Sequence, residues 1–300
     1  MNIFDRIFAV YYFTNTLNHP ITFTMVEIKN LSFSYSRKSE PVFRDLTLNI
    51  GRGGVYGLLG RNGVGKTTLM YLIAGALTPS AGTVTLDGTI TRRRLPSTMS
   101  RLRIVTEESM LPPQKLSEYA KLNSYYYPDF SQDLFAHICD EFELTPDMKL
   151  DRLSTGAKKK VTLAFAFACN TPLLLLDEPT NGLDIPSKDT FRHILAECMS
   201  DDRTIVVATH QVHDLERLLS NVIILDERGL IINRSISEIT EALRFDVSND
   251  PKVISSALWS QPGPGGTEVV TRRLSPDDET EVDLEMLFKC MSQRPETISL

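Results

Sequence analysis

The sequence predicts an α/β fold built on a parallel sheet, and three observations carry that prediction. The run Gly60-Arg61-Asn62-Gly63-Val64-Gly65-Lys66-Thr67-Thr68 fits the phosphate-loop pattern G-x-x-x-x-G-K-[ST]. It lies between an apolar stretch, Val55 to Leu59, and a helix-compatible run, Thr67 to Ala76, which is the strand–loop–helix context the pattern needs. Leu173-Leu174-Leu175-Leu176 suits a strand buried on both faces of a parallel sheet. It ends in Asp177-Glu178, at the edge where open α/β sheets bind ligands. The apolar strand Thr204 to Ala208 leads in the same way to His210.

These residue types point to triphosphate chemistry. Gly60, Gly63 and Gly65 let backbone N–H groups turn inward around phosphate oxygens, and the start of the next helix adds a partial positive charge. Asn62 and Thr68 complete the loop. Lys66 reaches the β- and γ-phosphates as a point charge, and Thr67 offers its hydroxyl to Mg²⁺. Asp177 is placed to hold the same Mg²⁺ directly or through water, and Glu178 to orient and deprotonate an attacking water. A Gly-rich turn, or two surface carboxylates after a core strand, explains either site alone. Both in one chain point to a nucleoside triphosphatase.

In chain order, residues 1–24 form an extension of unknown role. Ile7-Phe8-Ala9-Val10-Tyr11-Tyr12-Phe13 is apolar, too short to span a membrane, and lacks a basic signal-peptide start. A frayed leader and a membrane- or partner-binding segment both remain open. Residues 26–50 and 82–90 read as strands with polar turns and suit a small antiparallel sheet. Residues 112–165 read as mostly helical, and the aromatics of Tyr125-Tyr126-Tyr127-Pro128-Asp129-Phe130 within them read as core. Leu153-Ser154-Thr155-Gly156-Ala157-Lys158-Lys159-Lys160 precedes an apolar helical run, Val161 to Ala168. Alone, that segment reads as an N-cap serine and a lysine-rich exposed helix start. A second anion site serving another subunit's nucleotide is the other reading. Residues 186–200 are helical in pattern, and Val222 to Asp226 with Leu230 to Asn233 suggest a hairpin around Glu227-Arg228-Gly229. In the tail, Gln261-Pro262-Gly263-Pro264-Gly265-Gly266 reads as a turn or linker, and Glu281 to Met291 as a short amphipathic helix.

The order of these parts resembles the ATP-binding subunits of ABC transporters, over about residues 25–235. Lys66 matches the Walker A motif, Asp177 and Glu178 end the Walker B motif, and Leu153 to Ala157 is similar to the LSGGQ signature. Asn181-Gly182-Leu183-Asp184 is similar to the D-loop. The resemblance implies a P-loop NTPase core over 25–235 with an antiparallel β-subdomain and a helical subdomain at about 112–165. It also implies a C-terminal appendage over 236–300, expected as two strands and a helix. His210 takes the place of the switch histidine that contacts the γ-phosphate, and Tyr35 that of the ring against adenine; an ordinary exposed strand aromatic is the other reading of Tyr35. ATP and Mg²⁺ are the implied ligands. A separate transmembrane permease and a second ATPase subunit, identical or not, are the implied partners, at the cytoplasmic face of the cell membrane. Ser154 and Gly156 would cover the nucleotide of that second subunit, with Asp184 nearby. The tyrosine-proline-acidic stretch is similar to one in exporter ATPases.

The chain departs from the family at the signature, where Thr155 replaces the first Gly and Ala157 the Gln. Glu107 stands where the family has a Gln that links nucleotide to permease. A carboxylate there can hold Mg²⁺ or water but cannot donate a hydrogen bond.

Composition agrees with this reading. At 300 residues and 42% hydrophobic, the chain has room for one large domain with appendages. A net charge of −6 gives no reason to expect nucleic-acid binding, and Arg92-Arg93-Arg94 and Lys158-Lys159-Lys160 read as solvated faces. Cys139, Cys169, Cys198 and Cys290 form no C-x-x-C pair and read as reduced cytosolic thiols. No apolar run reaches the about 20 residues of a spanning helix. The alternative is a soluble ATPase of translation or DNA repair built on the same cassette. The single cassette and the lack of sustained heptads speak against those two groups. A small-molecule P-loop kinase would not need the signature.

Overall fold

The computed structural model describes residues 24–293, apart from 37, 109, 211–214, 228, 276–277 and 279. The N-terminal extension, but for Thr24, lies outside the described residues, as does the middle of the expected 227–229 turn. The strands are β1 (Thr24–Phe33), β2 (Phe43–Gly51), β3 (Gly54–Leu59), β4 (Ala81–Leu86), β5 (Thr89–Ile90), β6 (Leu102–Val105), β7 (Leu173–Asp177), β8 (Thr204–Ala208), β9 (Asn221–Asp226), β10 (Gly229–Ser235), β11 (Leu243–Ser248), β12 (Trp259–Gly263) and β13 (Gly266–Arg272). The helices are α1 (Lys66–Ile73), α2 (Pro96–Met99), α3 (Leu116–Ser124), α4 (Gln132–Glu141), α5 (Thr155–Ala168), α6 (Ile185–Glu197), α7 (Ile236–Ala242), α8 (Pro251–Ser256) and α9 (Leu284–Gln293).

Three sheets organise them. The central sheet has the order β10-β9-β3-β8-β7-β6 and is parallel except for the β9–β10 hairpin. An antiparallel sheet, β2-β1-β4-β5, comes from the segments expected to form it. A third, β11-β13-β12, is built by the tail. The leucines of β7 alternate between two cores, as a strand covered on both faces must. Leu173 and Leu175 join Ile28 and Leu48 of the antiparallel sheet and Leu69 and Met70 of α1. Leu174 and Leu176 join Phe165 of α5 and Phe191 of α6.

Phe165 is the hub of the helical region. Its ring lies 5.1 Å from Tyr119, 5.3 Å from Phe130, 6.1 Å from Tyr127 and 6.3 Å from Phe135. Arg103 stacks on the Phe165 and Tyr127 rings and donates to the Tyr127 hydroxyl at 3.1 Å. The aromatic run thus splits. Tyr127 and Phe130 are half-buried and pack against the core, whereas Tyr125 and Tyr126, in the turn after α3, are 89% and 68% exposed.

The two basic runs also behave differently. Arg92 and Arg93 are solvated as expected, while Arg94 donates to the Ala74 and Gly75 carbonyls at the end of α1. Lys159 corrects the expectation of a solvated lysine face, being only 2% exposed. Helical spacing puts it on the inward side of α5 with Leu163 and Ala166, both fully buried.

Among the described residues, the tail from 236 onward holds three strands and three helices, one strand and two helices more than expected. Pro262 and Gly263, expected in a turn or linker, belong to β12. That strand pairs only with β13, and an edge strand tolerates a residue without an N–H. Phe245, Trp259, Leu284 and Leu287 share one buried cluster with Leu215 and Ile232, so apolar packing continues from the central sheet into the tail. All four cysteines are buried free thiols, and burial pushes Cys139 and Cys169 up to about 12.

Phe165→Ala should cost about 3–5 kcal/mol, the scale for emptying a buried aromatic site. Tyr126→Ala should stay within about 0.5 kcal/mol as a surface change. Equilibrium urea unfolding of the two variants measures the difference, and equal losses would remove Phe165 from the hub.

Candidate functional site

β3, β8 and β7 run parallel and end side by side, with Leu58 and Asp177 both paired to Ala208. The residues that follow each strand therefore share one edge of the sheet. The phosphate loop follows β3, Glu178 follows Asp177 of β7, and His210 follows β8.

The loop closes on Gly65, the N-cap of α1, at φ 107°. A Cβ there would lie 2.7 Å from Val42 Cγ1 and 2.8 Å from Phe43 Cζ, so both backbone and space require glycine. Asn62 and Gly63 are exposed at the loop tip, and Gly60 begins it. Lys66 is buried, and its Nζ donates to the Gly60 carbonyl at 2.7 Å and to that of Arg61 at 3.2 Å. Burial pushes its ammonium below the ordinary lysine range, while the Glu178 and Asp177 charges pull it back up.

Thr67 Oγ1 donates to Asp177 Oδ2 at 2.7 Å, across 110 residues of sequence. Burial raises the Asp177 carboxyl above its usual range; the Thr67 bond opposes this, and the Glu178 and Glu107 charges reinforce it. Thr68 shares a 2.8 Å hydrogen bond with the Tyr35 hydroxyl. The Tyr35 ring stands edge-on to Phe33 at 5.0 Å and is 64% exposed beside the loop.

Glu178 Oε1 lies 2.8 Å from His210 Nδ1. Glu178 is buried with φ 44°, a left-handed conformation that costs a non-glycine residue on the order of 1–3 kcal/mol. Its N–H donates to the Ala208 carbonyl at 2.9 Å, and its own carbonyl accepts from the Asn181 N–H at 3.2 Å. Backbone bonds on both sides hold the turn that aims this carboxylate at the histidine.

The remaining expected residues lie around this pair. Ser154 caps α5, its hydroxyl accepting from the Ala157 N–H at 3.2 Å. Gly156 faces the chain's own D-loop segment, since a Cβ there would come within 2.8 Å of the Gly182 carbonyl oxygen. Asp184 caps α6 by accepting from the Ser187 N–H at 2.9 Å, and its bonds to Ser187 hold its carboxyl below the usual range. Glu107 accepts from Asn181 Nδ2 at 2.8 Å, and its charge still reaches the neighbouring Asp177 carboxyl.

Sequence reasoning missed Lys159, whose Nζ donates to the Thr106 carbonyl at 3.1 Å and the Glu178 carbonyl at 3.4 Å. It also missed the side-chain role of Asn181. The only signal for Lys159 was its register on α5, three and four residues from buried Thr162 and Leu163.

Comparison with known proteins agrees with this geometry. The sequence profile of the ABC transporter family matches residues 43–181. The chain is 28% identical over 218 residues to the ABC transporter ATP-binding protein YtrB of Bacillus subtilis, covering 72% of this chain and 74% of that one. It is 30% identical over 208 residues to the Nod factor export ATP-binding protein I of Burkholderia orbicola, covering 67% and 68%. A solved structure of an ATP-binding subunit of an ABC transporter aligns with a TM-score of 0.65 at 25% identity, over 72% of this chain and 91% of that one. By its motifs, its sheet and these relatives, the chain belongs to the ATP-binding subunits of ABC transporters, an ATP-hydrolysing family.

Proposed function

We propose that the chain powers an ABC exporter, hydrolysing ATP to drive a separate transmembrane permease from its cytoplasmic face. The observation that carries this is the Thr67–Asp177 contact beside the Glu178–His210 pair, at the same sheet edge as the phosphate loop. Export is favoured by the likeness to a Nod factor export protein. Among the described residues no helix is long and apolar enough to cross a membrane.

In this reading Lys66 exchanges its bonds to the loop carbonyls for β- and γ-phosphate oxygens. Tyr35, exposed beside the loop, offers its ring to adenine. The hydroxyl of Thr67 and the carboxylate of Asp177 are hard oxygen donors already in contact, a set that fits Mg²⁺, which takes one or two protein ligands with phosphate and water. Bound there, Mg²⁺ would neutralise charge on the phosphates. Glu178 accepts the proton of the attacking water, and His210, in contact with that carboxylate, orients it and reaches the γ-phosphate. Two subunits meet head-to-tail, so that Ser154 and Gly156 of one cover the nucleotide of the other. The domain boundaries keep the same form: a cassette over 25–235 and an appendage over 236–300.

Glu178→Gln should slow hydrolysis by roughly 10²-fold or more, the scale for loss of a general base, while ATP still binds. Single-turnover hydrolysis and calorimetric ATP titration test the two halves, and undiminished turnover would remove Glu178 from this role.

The trans arrangement has its own test. Ser154→Ala is the cleaner signature variant, because Gly156 also touches its own chain's Gly182. Mixing Ser154→Ala with Lys66→Ala should restore ATPase activity above either parent, since one composite site of the mixed dimer then carries neither defect. Loss of nucleotide binding by isolated Ser154→Ala monomers would count against the arrangement.

A further inference from the structure

The ATP site as described leaves Lys159 without a task. A buried ammonium is too costly to persist unless its donors are satisfied, and here they go to backbone carbonyls of Thr106 and Glu178. Thr106 opens the loop after β6 that carries Glu107. The Glu178 carbonyl also accepts from the Asn181 N–H, and the Asn181 side chain donates to Glu107. Lys159, the 106–107 loop, Asn181 and Glu178 thus close one ring of hydrogen bonds, anchored on the helix that Ser154 caps.

The charges support the same grouping. Glu107, Asp177 and Glu178 all pull the Lys159 ammonium upward against the lowering effect of burial. Lys66, which also faces Asp177 and Glu178, is assigned to the phosphates. Glu107 adds a carboxylate where the family carries an amide. Lys159 is a second buried cation at the site, bonded to the Thr106 and Glu178 carbonyls where Lys66 is bonded to those of the phosphate loop.

We propose that Lys159 is a positioning residue for ATP hydrolysis, holding the Glu178 backbone and the Thr106–Glu107 loop together and offsetting the Glu107 charge. The proposal rests on reading Glu178 as the general base.

The test is single-turnover hydrolysis with the full chain in excess, reporting the rate constant at saturation and the half-saturating concentration. Lys159→Met, similar in length but without donors or charge, should lower the rate constant by about tenfold to a hundredfold, the range for losing a hydrogen bond from a charged group. Half-saturation should stay within about twofold, since the nucleotide is not touched; any larger change falls outside positioning. Lys159→Arg should recover part of the rate. Lys159→Gln keeps donors but loses charge, so adding Glu107→Gln should make the double variant faster than Lys159→Gln alone. That comparison also decides the matter if Lys159→Met does not fold.

A wild-type rate in Lys159→Met, a raised half-saturation with an unchanged rate, or a double variant no faster than Lys159→Gln would each overturn the proposal. In the Glu178→Gln background, Lys159→Met should add no further loss if it acts through Glu178. If Glu178→Gln turns over normally, the general-base reading fails. If Glu178→Gln is slow but Lys159→Met is not, only the positioning role fails.

Discussion

The parallel pairing of β8 with both β3 and β7 is the constraint from which the rest of the site follows. It sets Leu58, Ala208 and Asp177 at one level, so chain segments near residues 60, 178 and 210 emerge at one sheet edge. Parallel strands need crossovers on the faces of the sheet, and those crossovers bring the covering helices. The mostly apolar helix α5 covers one face and α1 the other, which is why the β7 leucines are buried on both sides. Lys66, Asp177 and Glu178 at that edge are thereby shielded from water, and charges there act on one another more strongly than they would in solvent.

That shielding explains the electrostatics. Asp177 and Lys66 move in opposite directions from their ordinary values for one reason, burial, and each is partly restored by the other's charge. Thr67 contributes a neutral hydroxyl to the carboxylate, a bond that costs no further charge burial. Glu178 is treated differently. Its backbone is held in a left-handed turn by bonds on both sides, while its side chain faces a half-exposed imidazole. Buried Asp177 and the Glu178–His210 pair occupy neighbouring positions with unlike access to solvent.

Several signature and D-loop residues have a structural task within the chain as well. Ser154 and Asp184 are helix N-caps, and Gly156 is small because Gly182 lies against it. The start of α5 and the start of α6 are therefore packed together, and Asn181 carries that contact on to Glu107. A shift of either helix would be felt at the loop after β6 and at the Glu178 turn. The tail joins the same core through Phe245, Trp259 and Leu284, so it reinforces the sheet on the face that α5 and α6 cover.

The residues we assign to phosphate chemistry stand out in the sequence. Lys66, Thr67, Asp177 and Glu178 sit in local patterns, a glycine loop before a helix and carboxylates after four leucines, whose geometry depends on near neighbours in the chain. The alternation of strands and helices was legible for the same reason, and so was the antiparallel sheet. The third strand of the tail was not, because Pro262 and Gly263 read locally as a turn, and an edge position known only from pairing makes them a strand. Lys159 was hidden in a lysine run that looks solvated, and Tyr125 and Tyr126 in an aromatic run that looks buried. The Thr67–Asp177, Glu178–His210 and Glu107–Asn181 contacts join residues 110, 32 and 74 positions apart. Local pattern thus specified which chemical groups the protein carries and the short-range turns that present them. Which groups meet and which charges lose their water was set by packing, because burial and long-range contact are properties that no local pattern contains.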